Sequence, residues 1–284
     1  LAQVDRDIKQ PVASPQPPES AILGRMESQP FFTRDGERFV PTSVSPGPWD
    51  PKSLHGRVIV GLLAAQIEAR HGDPSFTPAR LTVDMYRLPD LSPVEVATRA
   101  VRDGYRIKVI EAEFFSAGAS MARASCQLLR RTANPAGVSW SPPHWDAPAP
   151  SEFPPPATEG GPRSGAWAMR PIVGTMGDTG PRRIWMAETR PLIEGAALTP
   201  FVRAALAADF ASPFANAGDE GLGWINSDVT LYLHRPMIGE WIGMEVVNHH
   251  ATDGVAIGEC WLYDENGPLG TSSVAALAQA RRLG

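Results

Sequence analysis

Residues 81–87 read LTVDMYR and residues 229–235 read VTLYLHR, one pattern written twice, 148 positions apart. Apolar and polar residues alternate in the same phase. Leu81, Val83 and Met85 correspond to Val229, Leu231 and Leu233, Thr82 to Thr230, and Arg87 to Arg235. A period of two marks a strand with one buried face. Each copy is followed by a proline (Pro89, Pro236) and three strand-like runs separated by turns, and preceded by a long, nearly all-apolar helical segment. Self-similarity on this scale predicts a duplicated unit.

In the first copy, Phe31-Phe32 and Phe39-Val40 flank Asp35-Gly36, a hairpin signal. GPWDPKSLHGRVIVGLLAAQIEARHG then predicts a helix capped by Ser53 and ended by Gly72. Val58, Ile59, Val60, Leu62, Leu63, Ala64, Ala65 and Ile67 surround most of that helix, so it must be buried. Strands are expected over 80–88, 93–102, 105–116 and 119–131, with turns at Asp103-Gly104 and Gly118. The second copy predicts a strand near 183–190 and a helix near 199–211, with Thr199 as cap and Pro200 at the first helical position. Strands follow at 228–235, 240–248, 253–263 and 269–279.

The segment between the copies contains PAGVSWSPPHWDAPAPSEFPPPATEGGP, too rich in Pro and Gly for regular structure. It reads as a linker anchored on the surface by Trp140 and Trp145. The chain thus divides into a polar, Pro-rich arm (1–27), an N-terminal unit (28–131), the linker (132–165) and a C-terminal unit (166–284). A lone sheet curled around one helix leaves an exposed edge, and two units side by side remove one edge from each. The predicted fold class is α+β, two tandem units, each an antiparallel sheet wrapped around a long central helix.

The chain has 284 residues, 43% of them hydrophobic and 20% charged, as in an ordinary globular protein. No apolar run is long enough for a membrane span. A net charge of -5 offers no electrostatic case for nucleic acid. Residues 1–20 lack the basic and apolar regions of a signal peptide, so a cytoplasmic location is expected. Cys126 and Cys260 are then expected as buried, reduced thiols. There is no Gly-x-Ser-x-Gly elbow and no GxGxxG or P-loop pattern. His249-His250 have no acidic or Cys partner at metal spacing, so no metal site is expected.

One residue breaks the apolar pattern. Asp209 is the only ionisable group between Arg203 and Asp219, near the end of a helix rich in Ala, Leu and Phe. A buried carboxylate is costly unless hydrogen-bonded, and the helix dipole disfavours an anion there. Such a group can act as general base on a water. The structural alternative is that it caps a loop or pairs with Arg203. Asn226 can hold the same water or form an Asx turn with Ser227 and Asp228. His55-Gly56 opens the first helix, where free N–H groups suit a carbonyl or phosphate oxygen. His234 and Arg235 lie at a strand end and read as paired surface residues.

The segments GPWDPKSLHGRVIVGLLAAQIE, RPLIEGAALTPFVRAALAADF, WINSDVTLYLHRPMIGEW and LYDENGPLG resemble the double hotdog acyl-CoA thioesterase family, the type II and thioesterase-like group. The similarity spans about residues 28–130 and 183–280, and HRPMIGEW is its most specific part. The resemblance implies hydrolysis of an acyl thioester, on CoA or a carrier, with no cofactor, in a homodimer. It implies an Asp on the second helix, a polar residue before the next strand and a Gln near the last strand, together holding the attacking water. These fall on Asp209, Asn226 and Ala275; apart from the resemblance, the helix opening makes His55 and Gly56 candidates for lining the substrate pocket, with a His55 packed against the linker as the alternative. Ala275 departs from the pattern, and Gln279, four residues on, is out of register. A missing water-orienting group costs a factor of about 10² or more, unless Ser272 or Ser273 takes the role. A non-hydrolytic binder of acyl thioesters or apolar ligands, or a protein recruited to lyase or isomerase chemistry, therefore stays open beside the hydrolase.

Overall fold

The computed structural model describes residues 29–141, 145–154 and 167–279; the proposed arm at 1–27 lies outside them. A hairpin comes first, β1 (Phe32–Asp35) and β2 (Arg38–Pro41), with Gly36 at φ 61 in its tight loop. Then follow α1 (Gly56–His71), β3 (Phe76–Met85), β4 (Val94–Asp103), β5 (Ile107–Ser116) and β6 (Ala119–Arg130). The second half holds β7 (Trp167–Val173), β8 (Arg183–Glu188), α2 (Pro200–Ala208), α3 (Ala211–Asn216) and β9 (Trp224–Asn226). It ends with β10 (Asp228–Leu233), β11 (Ile242–Thr252), β12 (Val255–Asp264) and β13 (Gly267–Ala278).

All the strands form one 13-stranded antiparallel sheet, in the order β1-β2-β4-β5-β6-β3-β10-β13-β12-β11-β8-β7, with β9 beside β13. Outward from the β3–β10 seam, the order is the same in both directions. The two repeated segments meet at that seam. Thr82 lies opposite Thr230, with Leu81 opposite Leu231 and Val83 opposite Val229. Thr82 and Thr230 are equivalent repeat positions, so the ladder is centred as a self-complementary two-fold contact would be. Their hydroxyls lie 3.3 Å apart.

The all-apolar circumference of α1 is explained by its surroundings. It packs on β3 to β6 with one side and on α2 with the other. Val58, Val60, Leu62, Leu63 and Ile67 are fully buried, each contributing about 1.5–3 kcal/mol of transfer free energy. The helices approach closely because position 61 is glycine: a Cβ there would lie 2.6 Å from Leu206 Cδ2. The cap of α1 is His55 rather than Ser53. Its Nδ1 accepts from the Arg57 N–H at 3.2 Å. Ser53 forms a β-bridge with Asp90 and donates its hydroxyl to the Asp50 carbonyl, which keeps it out of the helix approach.

Helix α2 stops at Ala208, short of the expected 211. Pro213 has no N–H to give the Asp209 carbonyl, so the chain turns at Asp209-Phe210 and restarts as α3. Strand β7 was not expected. It contains Pro171, and it forms the sheet edge, where a missing donor is tolerated. Trp145 stacks on Tyr263 at 4.3 Å and packs against Trp185 at 4.8 Å. Trp140, in contrast, is 85% exposed and anchors nothing. The aromatic patch on the outer sheet face, Trp185, Trp241 and Tyr263, is met by Trp145 and Phe153, both further along the chain than Trp140. Cys126 and Cys260 are buried and free, and burial pushes the Cys126 thiol up to about 12. Among the described residues no helix is long and apolar enough to cross a membrane.

The Gly61–Leu206 contact makes a specific prediction. Gly61→Ala is expected to destabilise the protein by about 1–3 kcal/mol through overpacking, and Leu206→Ala by about 2–5 kcal/mol through a cavity. The double variant should lose less than the sum, because the new methyl fills vacated space. Urea denaturation of the three variants measures the coupling.

Candidate active site

The N-terminus of α1 points at the end of α2, and the Asp209 carboxylate lies between them. Asp209 is buried, at 5% exposure. A Cβ on Gly56 would lie 2.9 Å from its Oδ1 and 3.0 Å from its Oδ2. Only glycine lets the first turn of α1 seat so closely on the carboxylate. From β9, Asn226 Nδ2 donates to Asp209 Oδ1 at 3.0 Å and to the Asp228 carbonyl at 3.2 Å. The opposite amide orientation would set oxygen against carboxylate oxygen, so the network fixes this one. Both Nδ2 hydrogens are thereby engaged, leaving the Asn226 carbonyl oxygen as its group for a water.

His55, Gly56, Asp209 and Asn226, more than 150 positions apart at the extremes, thus come together. The alternative partner of Asp209, Arg203, turns instead to Glu240 at 2.7 Å. Asn226 is thus tied to its own segment by the bond it donates to the Asp228 carbonyl and to Asp209 by the other. Asp228 accepts from the Ala275 N–H at 2.6 Å and opens β10.

The electrostatics follow from burial. Burial pushes the Asp209 pKa above the ordinary carboxylate value, while the Asn226 amide, the Arg57 guanidinium and the Arg57 backbone N–H pull it back. Burial and the neighbouring Arg57 charge lower His55 to about 3. The ring is therefore neutral, and its Nδ1, 3.7 Å from Asp209 Oδ2, makes no ion pair. With Nδ1 accepting from Arg57, the ring proton sits on Nε2.

Two residues near Asp209 were invisible in the sequence pattern. Arg57, at 4% exposure, places Nη1 3.1 Å from Glu188 Oε2 on β8. Its guanidinium lies 4.8 Å from the Phe31 ring centroid and 4.7 Å from that of Trp167. The one available signal was an arginine opening a helix otherwise destined for burial.

The position expected to carry Gln needs correction. Along β13, Ser272, Val274 and Ala276 face the core, and Ser272 donates to the Ala208 carbonyl at 2.7 Å. Ala275 faces the other way, opposite the exposed Ile257. The residue paired with Asn226 is Ala276. An amide that reaches Asp209 would need position 276, which is also alanine. Neither side chain has a polar atom. Ser273 shares the outer alternation with Ala275, and the Ser272 hydroxyl is committed to the helix end.

At the opposite crossing, Glu68 of α1 accepts from Thr199, the cap of α2, at 2.5 Å. Glu68 too is a carboxylate of one helix on the N-terminus of the other. It is half-buried, whereas Asp209 is fully enclosed. The other singled-out residues are structural. Arg235 clamps the buried Asp264 through two bonds, at 2.5 and 2.6 Å. Burial raises the Asp264 carboxyl, but Arg235 and the Ile238 and Asn266 N–H groups bring it below its usual value. His249 Nδ1 lies 2.8 Å from Asn216 Oδ1.

A carboxyl whose folded pKa is raised burdens the fold only once it ionises. The penalty is absent below its unfolded value of 3.8 and grows as pH rises through the folded value. Asp209→Asn keeps an acceptor for Asn226 and removes the charge. It is expected to raise Tm at pH 7.5, with the gain vanishing near pH 4, as read by thermal denaturation at both values.

The chain is similar in sequence and fold to known proteins. The model of the acyl-CoA thioesterase N-terminal domain matches residues 45–133, and that of the acyl-CoA thioesterase C-terminal domain matches residues 141–277. Among curated proteins none matches the chain. Solved structures do. A tesB protein of Mycobacterium avium subs paratuberculosis is 14% identical over 92% of this chain and 99% of that one, with a TM-score of 0.66. A hot dog fold protein of unknown function from Alicyclobacillus acidocaldarius is 13% identical over 88% and 96%, at 0.67. The acyl-CoA thioesterase II TesB2 of Mycobacterium marinum is 16% identical over 86% and 94%, at 0.60. At these identities the structures show a shared hotdog fold alone, while the two domain matches together take in most of the sequence: the chain belongs to the acyl-CoA thioesterase family.

Proposed function

We propose that this chain hydrolyses acyl thioesters, of CoA or of a carrier, at a site shared by two fused hotdog units. The units are residues 28–131 and 166–284, joined by the segment 132–165. The strand order repeated about the β3–β10 seam supports this division. The observation that carries the chemistry is a buried carboxylate, Asp209, set against the first turn of α1 at Gly56 and held by Asn226.

In the proposed reaction Asp209 takes a proton from a water whose oxygen attacks the thioester carbonyl carbon. The water also donates to the Asn226 carbonyl oxygen. The N-terminus of α1 faces the carbonyl oxygen, where the helix dipole favours developing negative charge. The tetrahedral intermediate then collapses, the C–S bond breaks, and the proton held by Asp209 goes to the leaving sulfur. The products are a free acid and a thiol. A raised Asp209 pKa brings the base closer to working pH, which favours proton transfer. His55, on the same rim, is neutral and adds no charge beside the carboxylate.

One observation favours a second reading. The core-facing residue opposite Asn226 is Ala276, so the third polar group of the family pattern is missing at 275 and 276 alike. A protein that binds acyl thioesters without cleaving them fits that loss.

Thiol release from acyl-CoAs of several chain lengths separates the two. The hydrolase reading expects release, a fall of about 10²-fold or more with Asp209→Ala, and a loss of about 10²-fold with Asn226→Ala. Tight acyl-CoA binding without release at any chain length, or turnover indifferent to Asp209→Ala, sinks it.

A further inference from the structure

One polar hydrogen beside the carboxylate has no role in the reaction as described, the one on the His55 ring. His55 caps α1 with its own side chain: Nδ1 accepts from the Arg57 N–H at 3.2 Å. The same Nδ1 lies 3.7 Å from Asp209 Oδ2, beyond hydrogen-bonding distance. The two neutral tautomers would give this ring opposite chemistry. A proton on Nδ1 would pair the ring with Asp209 and make Nε2 a base. The cap rules that out, because a nitrogen that accepts from a backbone N–H has no proton of its own to give. Turning the ring over would set a C–H against the Arg57 N–H and leave that donor unpaired. The ring proton therefore sits on Nε2, and among the described residues nothing accepts it. The His55 side chain is 29% exposed, directly beside a carboxylate that is 6% exposed. The backbone is pinned as well, with the His55 N–H on the Ser45 carbonyl at 3.0 Å. The ring is thus held in one place, in one tautomer, with its donor open to the rim of the site.

We propose that His55 is the side-chain donor to the thioester carbonyl oxygen: its Nε2–H polarises the bond that the water attacks and supplies a polar group where positions 275 and 276 have none. This rests on the reading of the site as one for acyl thioesters. The first turn of α1 shows why a side-chain donor matters there. The Arg57 N–H is engaged by the ring, and the Val58 N–H donates to the His55 carbonyl at 3.1 Å. Of these first three N–H groups only that of Gly56 has no partner among the described residues. A single N–H is a thin provision for a developing oxyanion, and a ring donor on the preceding residue adds a second. The donor must also be uncharged. A protonated ring would aim Nδ1–H at Asp209 Oδ2 and tie up the base. A neutral imidazole at a helix N-terminus polarises a carbonyl without doing so. The ring neither gains nor loses a proton: the proton of the water still travels by way of Asp209 to the leaving sulfur.

The experiment separates the cap from the donor. Asparagine and serine both cap helices well but are too short to carry a donor to the place of Nε2. His55→Asn, and His55→Ser beside it, should keep the wild-type Tm while kcat for acyl-CoA hydrolysis falls about 10²–10³-fold, with KM changed far less. Nitrogen-15 NMR of the full chain labelled at histidine, with His55→Asn giving the assignment, should show Nε2 protonated and Nδ1 bare at neutral pH. Infrared difference spectra of acyl-CoA labelled with carbon-13 at the thioester carbonyl, bound to the Asp209→Asn variant so that it is not consumed, read the contact itself. Adding His55→Asn should move the carbonyl band to higher wavenumber. A proton found on Nδ1, a band that does not move, or turnover indifferent to both substitutions overturns the proposal. A loss of kcat matched by a loss of Tm, with the band unmoved, reduces His55 to its cap and overturns it too. A band that moves in a chain releasing no thiol upholds the contact and overturns the hydrolase reading alone, whereas wild-type thiol release with an unmoved band does the reverse.

Discussion

The pairing of β3 with β10 is the contact on which the molecule depends. It joins the two halves of the sheet through equivalent residues, Thr82 facing Thr230. It also decides where the helices lie. With the sheet continuous across the seam, α1 and α2 occupy the same side and pack on each other at Gly61 and Leu206. Each helix then brings its N-terminus to the other's C-terminal region. At one crossing Gly56 meets Asp209, and at the other Thr199 meets Glu68. A helix N-terminus with its unpaired N–H groups is a natural place for an anion, so the seam creates two such places. Only one is enclosed, with an amide beside it.

Enclosure carries an energetic consequence. Asp209, Arg57 and Glu188 are three ionisable groups at low exposure within one region, with a neutral His55 on the rim. Ionising all three leaves one excess negative charge in a poorly solvated place. The fold answers with fixed dipoles, the Asn226 amide and the first turn of α1, rather than with a direct ion pair to Asp209. Burial raises the carboxyl pKa and these donors draw it back, so the balance between the two sets its charge.

Much of the fold was legible because burial has a period. Strict alternation marked β3 and β10, and the apolar circumference of Val58 to Ile67 marked a helix with no solvent face. The elements that escaped were those whose local pattern is weak. Strand β9 has three residues, and β7 contains Pro171 after a Pro-rich stretch. The anchor at Trp145 was legible as an aromatic in a polar segment, yet Trp140 carries the same signal and is exposed. Which of the two lands on the Trp185–Tyr263 patch depends on the path of the chain.

The sequence by itself determined the repeat, the strand phases, the burial of α1 and the anomaly of an acid within an apolar helix at Asp209. These are local properties, set by how side chains partition between water and core along a known period. The tertiary structure decided everything that depends on which surfaces dock. It set Gly56 and Asn226 on the Asp209 carboxylate, replaced Ser53 by His55 as the cap, and turned Ala275 outward while Ala276 faces the core. It also paired Arg57 with Glu188, 131 positions away, through a contact that no spacing in the chain encodes. A charge finds its partner by position in space, and that position was fixed only when the two halves closed on each other.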